Sequence, residues 1–329
     1  MAHALVIGGT RFIGRHLVTH LREHDYEVTL FNRGTHPDPF VDDPAIAHHE
    51  GDRTNDSALE AAATDLDPDV VFDMVAYKPR EVGTTTRIFA DVDAYVYVSS
   101  GAAYAAEDVP KREDETELHE CSMDQAVDDA WETYGNRKAE GDREIARAAE
   151  DGVNAMSVRP PIVYGPYDYT ERLDYWLHRV ETHDRVLVPG DGTNLWQRVY
   201  VEDVASALRV VAEEGTPGEA YNAGDRNAVT LDRMLELVAD AMDTDVDLVH
   251  ASARELSIAA LSLDDFPLYR SYPHLLATDK LARLGWDSTP LETAMARTVE
   301  EHRESDRDGS EQGPARADVE RVLGVLDTV

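Results

Sequence analysis

The chain has 329 residues, 42% of them apolar and 29% charged, and 66 acidic against 31 basic residues give a formal net charge of −35. An acid excess of that size repels phosphate backbones and anionic bilayers, which argues against general nucleic-acid and membrane-surface binding, and no apolar run reaches the ~20 residues of a membrane span. The single cysteine, Cys121, excludes an intrachain disulfide and a cysteine-based zinc site and points to a reducing, cytoplasmic setting.

Met1–Gly8 has no basic n-region and reads as a buried strand, Ala4–Ile7, rather than a signal peptide. Further strands are expected at Glu27–Phe31, Val70–Phe72, Ala94–Val98 and Asn154–Val158. Amphipathic helices are expected at Phe12–Glu23, Asp56–Ala63, Pro79–Phe89 and Asp124–Glu150. Strands separated by helices predict an α/β fold, a doubly wound parallel sheet of the Rossmann type covered on both faces. The alternation fades after Tyr164 and returns at Arg198–Val211 and Tyr221–Gly224. The predicted organisation is a dinucleotide-binding domain of residues 1–164 plus 196–224 and a smaller C-terminal α/β substrate lobe of 165–195 plus 225–302. Residues 303–316 read as an acidic linker and Val319–Leu326 as a short docking helix.

Gly8-Gly9-Thr10-Arg11-Phe12-Ile13-Gly14 joins the first strand to the first helix. Small residues there permit a tight turn, and the free amides and dipole of the helix start face a pyrophosphate. Tyr134 and Lys138 stand four apart on a helical stretch and share one face. An ammonium beside a phenol favours the phenolate and brings a pKa of about 10 toward working pH, which makes the tyrosine a usable general acid/base. His48-His49 lacks metal spacing and reads as a solvated turn; no metal site is expected. Glu113-Asp114-Glu115 reads as a solvated charge run, and Trp176, Trp196 and Tyr269 as core packing or pocket lining.

The segments GGTRFIG (8–14), YVYVSSGAAYA (95–105), YGNRK (134–138), RPPIVYGP (159–166), RVYVEDVASAL (198–208), YNAGD (221–225) and TDKLARLGW (278–286) resemble the extended short-chain dehydrogenase/reductase family, which includes nucleotide-sugar epimerases and dehydratases. The resemblance runs to about residue 300 and implies an NAD(P)-dependent oxidoreductase or epimerase acting on a hydroxyl or keto carbon of a sugar or nucleotide-sugar-like small molecule. It implies Ser100, Tyr134 and Lys138 as the catalytic set: Ser100 hydrogen-bonds the reacting oxygen, Tyr134 handles the proton, and Lys138 also binds the ribose. It places Gly8, Thr10, Arg11, Phe12, Ile13, Gly14, Asn32, Arg33, Asp52, Arg53, Ala76, Lys78 and Pro161 along the cofactor, with Asp52 accepting from the adenine amino group. It also implies a homodimer through Pro79–Phe89 and Asp124–Glu150, with Ile88, Phe89, Ala126, Val127 and Ala130 on the shared faces.

Several positions depart from the family pattern. Arg11 replaces the middle glycine of the loop, and Asn32 followed by Arg33 replaces the acidic residue that NAD users place after the second strand. An amide and two guanidiniums suit a 2′-phosphate, so NADP is expected in preference to NAD. Dehydratases follow the catalytic Ser/Thr with Asp-Glu; this chain has Gly101-Ala102, which argues against elimination. Ile162 replaces an asparagine that contacts the nucleotide-sugar phosphate, and Trp196 replaces a diphosphate-gripping arginine, with Arg198 two residues on as a substitute. The glycine loop also resembles chloroplast stem-loop-binding relatives, so the alternative is a non-catalytic dinucleotide-binding regulatory or RNA-contacting protein. The distributed acidity, with lysine only at 78, 111, 138 and 280, resembles cytosolic proteins of salt-accumulating halophilic archaea, where molar salt shortens the Debye length to about 3 Å.

Overall fold

Apolar runs without polar alternation, such as Ala4–Ile7 at 0% exposure, fit only between two covered faces, and here they pair into one parallel sheet. The structure is a computed structural model that describes residues 1–328. Strands β1 (His3–Ile7), β2 (Glu27–Asn32), β3 (Ile46–Glu50), β4 (Val70–Asp73), β5 (Ala94–Val98) and β6 (Ala155–Arg159) lie in the order β3-β2-β1-β4-β5-β6, and Ala220–Asn222 adds a seventh strand beyond β6. Helices α1 (Phe12–Glu23), α2 (Asp56–Leu66), α3 (Pro79–Ile88), α4 (Met123–Val127) and α5 (Tyr134–Glu150) belong to the same half of the chain. Helix α1 packs beside Val201–Glu214, and α3 beside α5. This is the expected doubly wound fold. The chain reverses its winding between β1 and β4, the switch point at which such sheets open a crevice at their carboxyl ends.

Three local expectations need correction. His48 and His49 lie on the edge strand β3, not in a turn: β3 pairs with β2 from Val28 to Asn32, His48 reaches Asp38 at 3.0 Å, and His49 stacks on Phe31 at 5.8 Å between ring centres. The single helix expected over Asp124–Glu150 is broken, because Asp128 turns its carboxylate back to accept from Ala130 N at 3.1 Å and Thr133 Oγ1 at 3.0 Å, an alternative to helical bonding. A 3₁₀ turn, Trp131–Thr133, follows, and α5 starts at Tyr134. Glu113 is not merely solvated: it is partly buried and accepts from Asn222 N at 2.9 Å, and burial pushes its carboxyl above the usual range.

The chain divides into two compact units. The first contains Met1–Val163, Val199–Gly224 and Leu276–Ser288. Residues 276–288 were expected in the second lobe; they fall here because Ala277 N donates to Lys111 O at 2.8 Å and Trp286 Nε1 to Asp203 O at 3.0 Å. The core lies against the sheet and includes Leu5, Ile7, Phe31, Val71, Tyr95 and Ile145. Phe89 belongs to that core at 2% exposure and Ile88 packs against it, so these two side chains cover the sheet instead of a partner.

The second unit contains Tyr164–Arg198, Asp225–Leu275 and the chain from Thr289 onward. It holds a parallel strand pair, Arg185–Pro189 with Asp247–Ala251, and four longer helices at Asp174–Thr182, Leu231–Met242, Leu291–Arg303 and Arg316–Leu326. Trp176 is fully buried in it and donates to Pro267 O at 2.9 Å. The stretch expected as a linker is fastened to this unit. Arg307 pairs with Asp174 at 3.1 Å and with Glu301, Gly309 N donates to Glu171 Oε2 at 3.2 Å, and Arg179 Nη2 donates to Pro314 O at 2.8 Å. Gly309 takes φ +60° with Tyr175 N only 2.1 Å from where a Cβ would stand, so glycine is required there.

Candidate active site

The turn after β1 is built for close approach. Gly8 and Gly9 take φ +112° and +96°, a Cβ on Gly9 would lie 2.6 Å from Leu30 Cδ2, and a Cβ on Gly14 would lie 2.7 Å from Gly9 Cα. Helix α1 begins at exposed Arg11 with no side-chain cap and no acidic residue in its first turn. Thr10 and Ile13 are half-buried, and Phe12 is buried with φ 28°. A narrow turn with no room for a Cβ at Gly9 or Gly14, leading into a helix start without a side-chain cap, fits the pyrophosphate of a dinucleotide.

At the end of β2, Asn32 Oδ1 accepts from Gly34 N at 2.8 Å and Arg33 is exposed. Asp52 accepts from Thr54 N at 2.9 Å and Thr54 Oγ1 at 2.8 Å; these bonds, with smaller help from Arg33 and Arg53, hold its carboxyl below the usual range. Arg53, expected along the cofactor, turns its guanidinium inward. It pairs with fully buried Asp73, which also accepts from Tyr95 OH at 2.7 Å, because an unpaired carboxylate at that depth would be far costlier. Lys78 pairs with exposed Asp129 at 2.9 Å, and Ala76 is buried with its carbonyl turned to Lys138.

Lys138 is the most constrained ionisable group of this region. Its ammonium is 2% exposed as a residue and donates to Ala76 O at 2.9 Å and Val98 O at 2.8 Å. The rings of Tyr97, Tyr77 and Tyr134 surround it, with centres 4.7, 5.2 and 5.7 Å from Nζ. Burial pushes its pKa down to about 8, although Asp73 and Asp142 pull it upward. Half-buried Tyr134 opens α5 and Ser100 caps the 3₁₀ turn Gly101–Ala103, accepting from Ala102 N at 3.1 Å. That turn sits against the first turn of α5: a Cβ on Gly135 would lie 2.4 Å from Ala102 O, so the glycine after Tyr134 permits the approach. Serine turn, tyrosine and lysine are thus assembled at the carboxyl ends of β4 and β5. Ser99 is buried, and Pro161, half-buried, precedes Ile162 at the end of β6.

The three residues singled out for substrate contact are divided. Ile162 is 6% exposed and Trp196 half-buried, with the Arg270 guanidinium 5.5 Å above the Trp196 ring. Arg198 is 5% exposed in the second unit, donates to Val229 O at 3.0 Å, and lines a small cavity with Tyr164, Asp225 and Met234. Burial lowers its pKa. Sequence reasoning missed Trp131, whose ring stacks on Tyr134 at 5.0 Å between centres and 12° between planes. The available signal was a tryptophan three residues before the tyrosine.

A family model described as NAD dependent epimerase/dehydratase family matches residues 4–91 and 81–224. The chloroplast stem-loop binding protein of 41 kDa b of Arabidopsis thaliana is 29% identical over 301 residues, 86% of this chain and 74% of that protein. The low-salt glycan biosynthesis protein Agl12 of Haloferax volcanii is 26% identical over 271 residues, 73% of this chain and 83% of that protein. A solved dTDP-glucose 4,6-dehydratase from Bacillus anthracis, in complex with NAD, shares the fold with a TM-score of 0.73 at 20% identity, covering 95% of this chain and 99% of that one. Because the matched span runs through the glycine turn, the sheet and the helix of Tyr134 and Lys138, the chain belongs to the NAD dependent epimerase/dehydratase family.

Proposed function

We propose that this protein oxidises, reduces or epimerises a hydroxyl or keto carbon of a sugar-like, preferably nucleotide-linked, substrate, with Ser100, Tyr134 and Lys138 as the working set. The observation that carries this reading is the enclosed ammonium of Lys138, held by Ala76 O and Val98 O beside the Tyr134 ring. The residues 8–14 cradle would hold a nicotinamide dinucleotide, which supplies hydride exchange at the substrate carbon when bound. The positive charge on Lys138 stabilises the phenolate of Tyr134, so Tyr134 takes the proton from a substrate hydroxyl or returns it to a carbonyl oxygen. Ser100 Oγ donates to that same oxygen and orients it. Gly101-Ala102 puts no carboxylate beside the serine, which supports carbonyl–alcohol chemistry over elimination. The test is turnover of a panel of nucleotide sugars and simple carbonyls with NAD(P)(H) in molar KCl; no turnover by well-folded protein would overturn the reading. The acid excess and the single cysteine support a cytoplasm of high salt as its setting.

NADP(H) is the favoured cofactor in this reading, supported by exposed Arg11 and Arg33 and by an amide at Asn32. Each charge-assisted contact to a 2′-phosphate is worth about 1.5–3 kcal/mol before screening, so in high salt NADPH should bind about 10–100-fold more tightly than NADH. Arg33→Ala should weaken NADPH and leave NADH nearly unchanged in titrations of nicotinamide fluorescence, and Asn32→Asp should shift preference toward NADH. Tighter NADH binding to the native chain would assign both arginines to the acidic surface instead.

A homodimer also belongs to this reading. With Phe89 buried and Ile88 packed against the core, its support narrows to the exposed part of the expected face, Val127 at 70% exposure with half-buried Ala126 and Ala130. Light scattering at micromolar protein in molar KCl should give twice the 36.6 kDa chain mass, and a monomer would remove the dimer. The likeness to the stem-loop binding protein motivates a second reading, a non-catalytic RNA-contacting protein. A net charge of −35 opposes it, and an RNA mobility shift run beside the turnover panel separates the two.

A further inference from the structure

We propose that Trp131 is a positioning residue for proton transfer: its indole, lying flat on the phenol ring of Tyr134, sets that ring's plane and screens one of its faces from water. The inference rests on the assignment of Tyr134 as acid/base and extends it to a residue outside the serine, tyrosine and lysine set. Two of the other three tryptophans are buried, Trp176 at 0% and Trp286 at 3% exposure, whereas Trp131 is 74% exposed in a heavily charged chain. Among the described residues its ring contact is the near-parallel stack on Tyr134.

The backbone around Trp131 is held in place independently of that stack. Asp128 accepts from Ala130 N and Thr133 Oγ1, and Arg137 Nη1 donates to Ala130 O at 3.0 Å. Arg137 Nε donates to Tyr77 O at 3.2 Å, and Lys78 pairs with Asp129 at 2.9 Å, so two residues of the loop after β4 also fasten the turn. The 3₁₀ turn therefore presents the indole to Tyr134 from a fixed support. The tyrosine side chain needs such a neighbour: the torsion that sets its ring plane is broad, and because a phenol keeps its O–H bond in the ring plane, that plane sets the direction in which Oη gives or takes the proton. Stacked aromatic pairs contribute enough to bias that torsion by a factor of several.

The test combines kinetics with a measurement on the cofactor-free protein. In Trp131→Ala, kcat should fall about 3–10-fold with KM unchanged within about twofold, and Trp131→Phe, which keeps a flat ring, should recover most of kcat. Nitration of Tyr134 by tetranitromethane, mapped by peptide mass spectrometry, should be about 3–10-fold faster in Trp131→Ala and near the native rate in Trp131→Phe. Trp131→Leu, with apolar bulk but no flat face, should behave like the alanine variant. Native nitration and native kcat in the alanine and leucine variants would overturn the proposal. If the native protein turns over nothing, the proposed activity fails alone, and the nitration rates still decide whether Trp131 shields Tyr134.

Discussion

Tyr134→Phe should lower kcat by ~10²–10⁴ while dinucleotide affinity stays within about twofold, because on the proposed assignment it removes the oxygen that carries the proton and keeps the ring. Ser100→Ala should lower kcat with cofactor binding intact, and Lys138→Met should lower both. Native turnover by Tyr134→Phe on the true substrate would remove the tyrosine from the chemistry. The pH profile gives a second check. Burial lowers the folded pKa of Lys138 from its ordinary 10.5 to about 8, so the ammonium proposed to support the phenolate is lost as pH rises through about 8. The alkaline limb of kcat/KM should fall there, since that ratio reports the free enzyme. For stability the sign is opposite. Between about pH 8 and 10.5 the unfolded chain keeps a proton that the folded chain has released, so the burden of a buried cation applies in full below about 8 and is relieved across that window. The stability of native protein relative to Lys138→Met should therefore move in favour of native as pH rises from 8 to 10.5, as measured by chemical denaturation.

Arg159→Leu should cost about 3–5 kcal/mol of folding stability. Arg159 donates through Nε to Asp142 at 2.8 Å and through Nη1 to Tyr104 OH at 2.9 Å, with both charged side chains 4% exposed. Tyr104 in turn donates to Asn222 Oδ1 at 2.8 Å, and Asn222 Nδ2 to Ala277 O at 3.2 Å. This chain of bonds joins α5, β6, the loop after β5, the seventh strand and the returning segment at 277. Removing the guanidinium leaves Asp142 charged and enclosed, whereas the double change Asp142→Leu, Arg159→Leu removes both charges and should cost less than the single one. A double variant as unstable as Arg159→Leu in denaturant titrations would show that packing, rather than the stranded carboxylate, sets the cost.

What sequence determined by itself was whatever depends on neighbouring residues. β1, the glycine turn and α1 were legible because an uninterrupted apolar run followed by glycines leaves the backbone few alternatives, and Tyr134 and Lys138 share a face by helical spacing alone. β3 was not legible. Its sequence, Ile-Ala-His-His-Glu, has little strand character, and it is a strand because β2 offers an unpaired edge from Val28 to Asn32. The inward turn of Arg53 was not legible because its partner, Asp73, lies twenty residues away and acts only once β4 is in the sheet. The helix break at Asp128 was local but depended on which of two hydrogen-bonding roles one aspartate took. Residue types and spacing nominated Ser100, Tyr134 and Lys138, but the acidity of Lys138, the stack of Trp131 on Tyr134 and the enclosure of Arg198 were decided by tertiary structure. Burial and ring contact are properties of segments brought together by folding, and no local pattern encodes them.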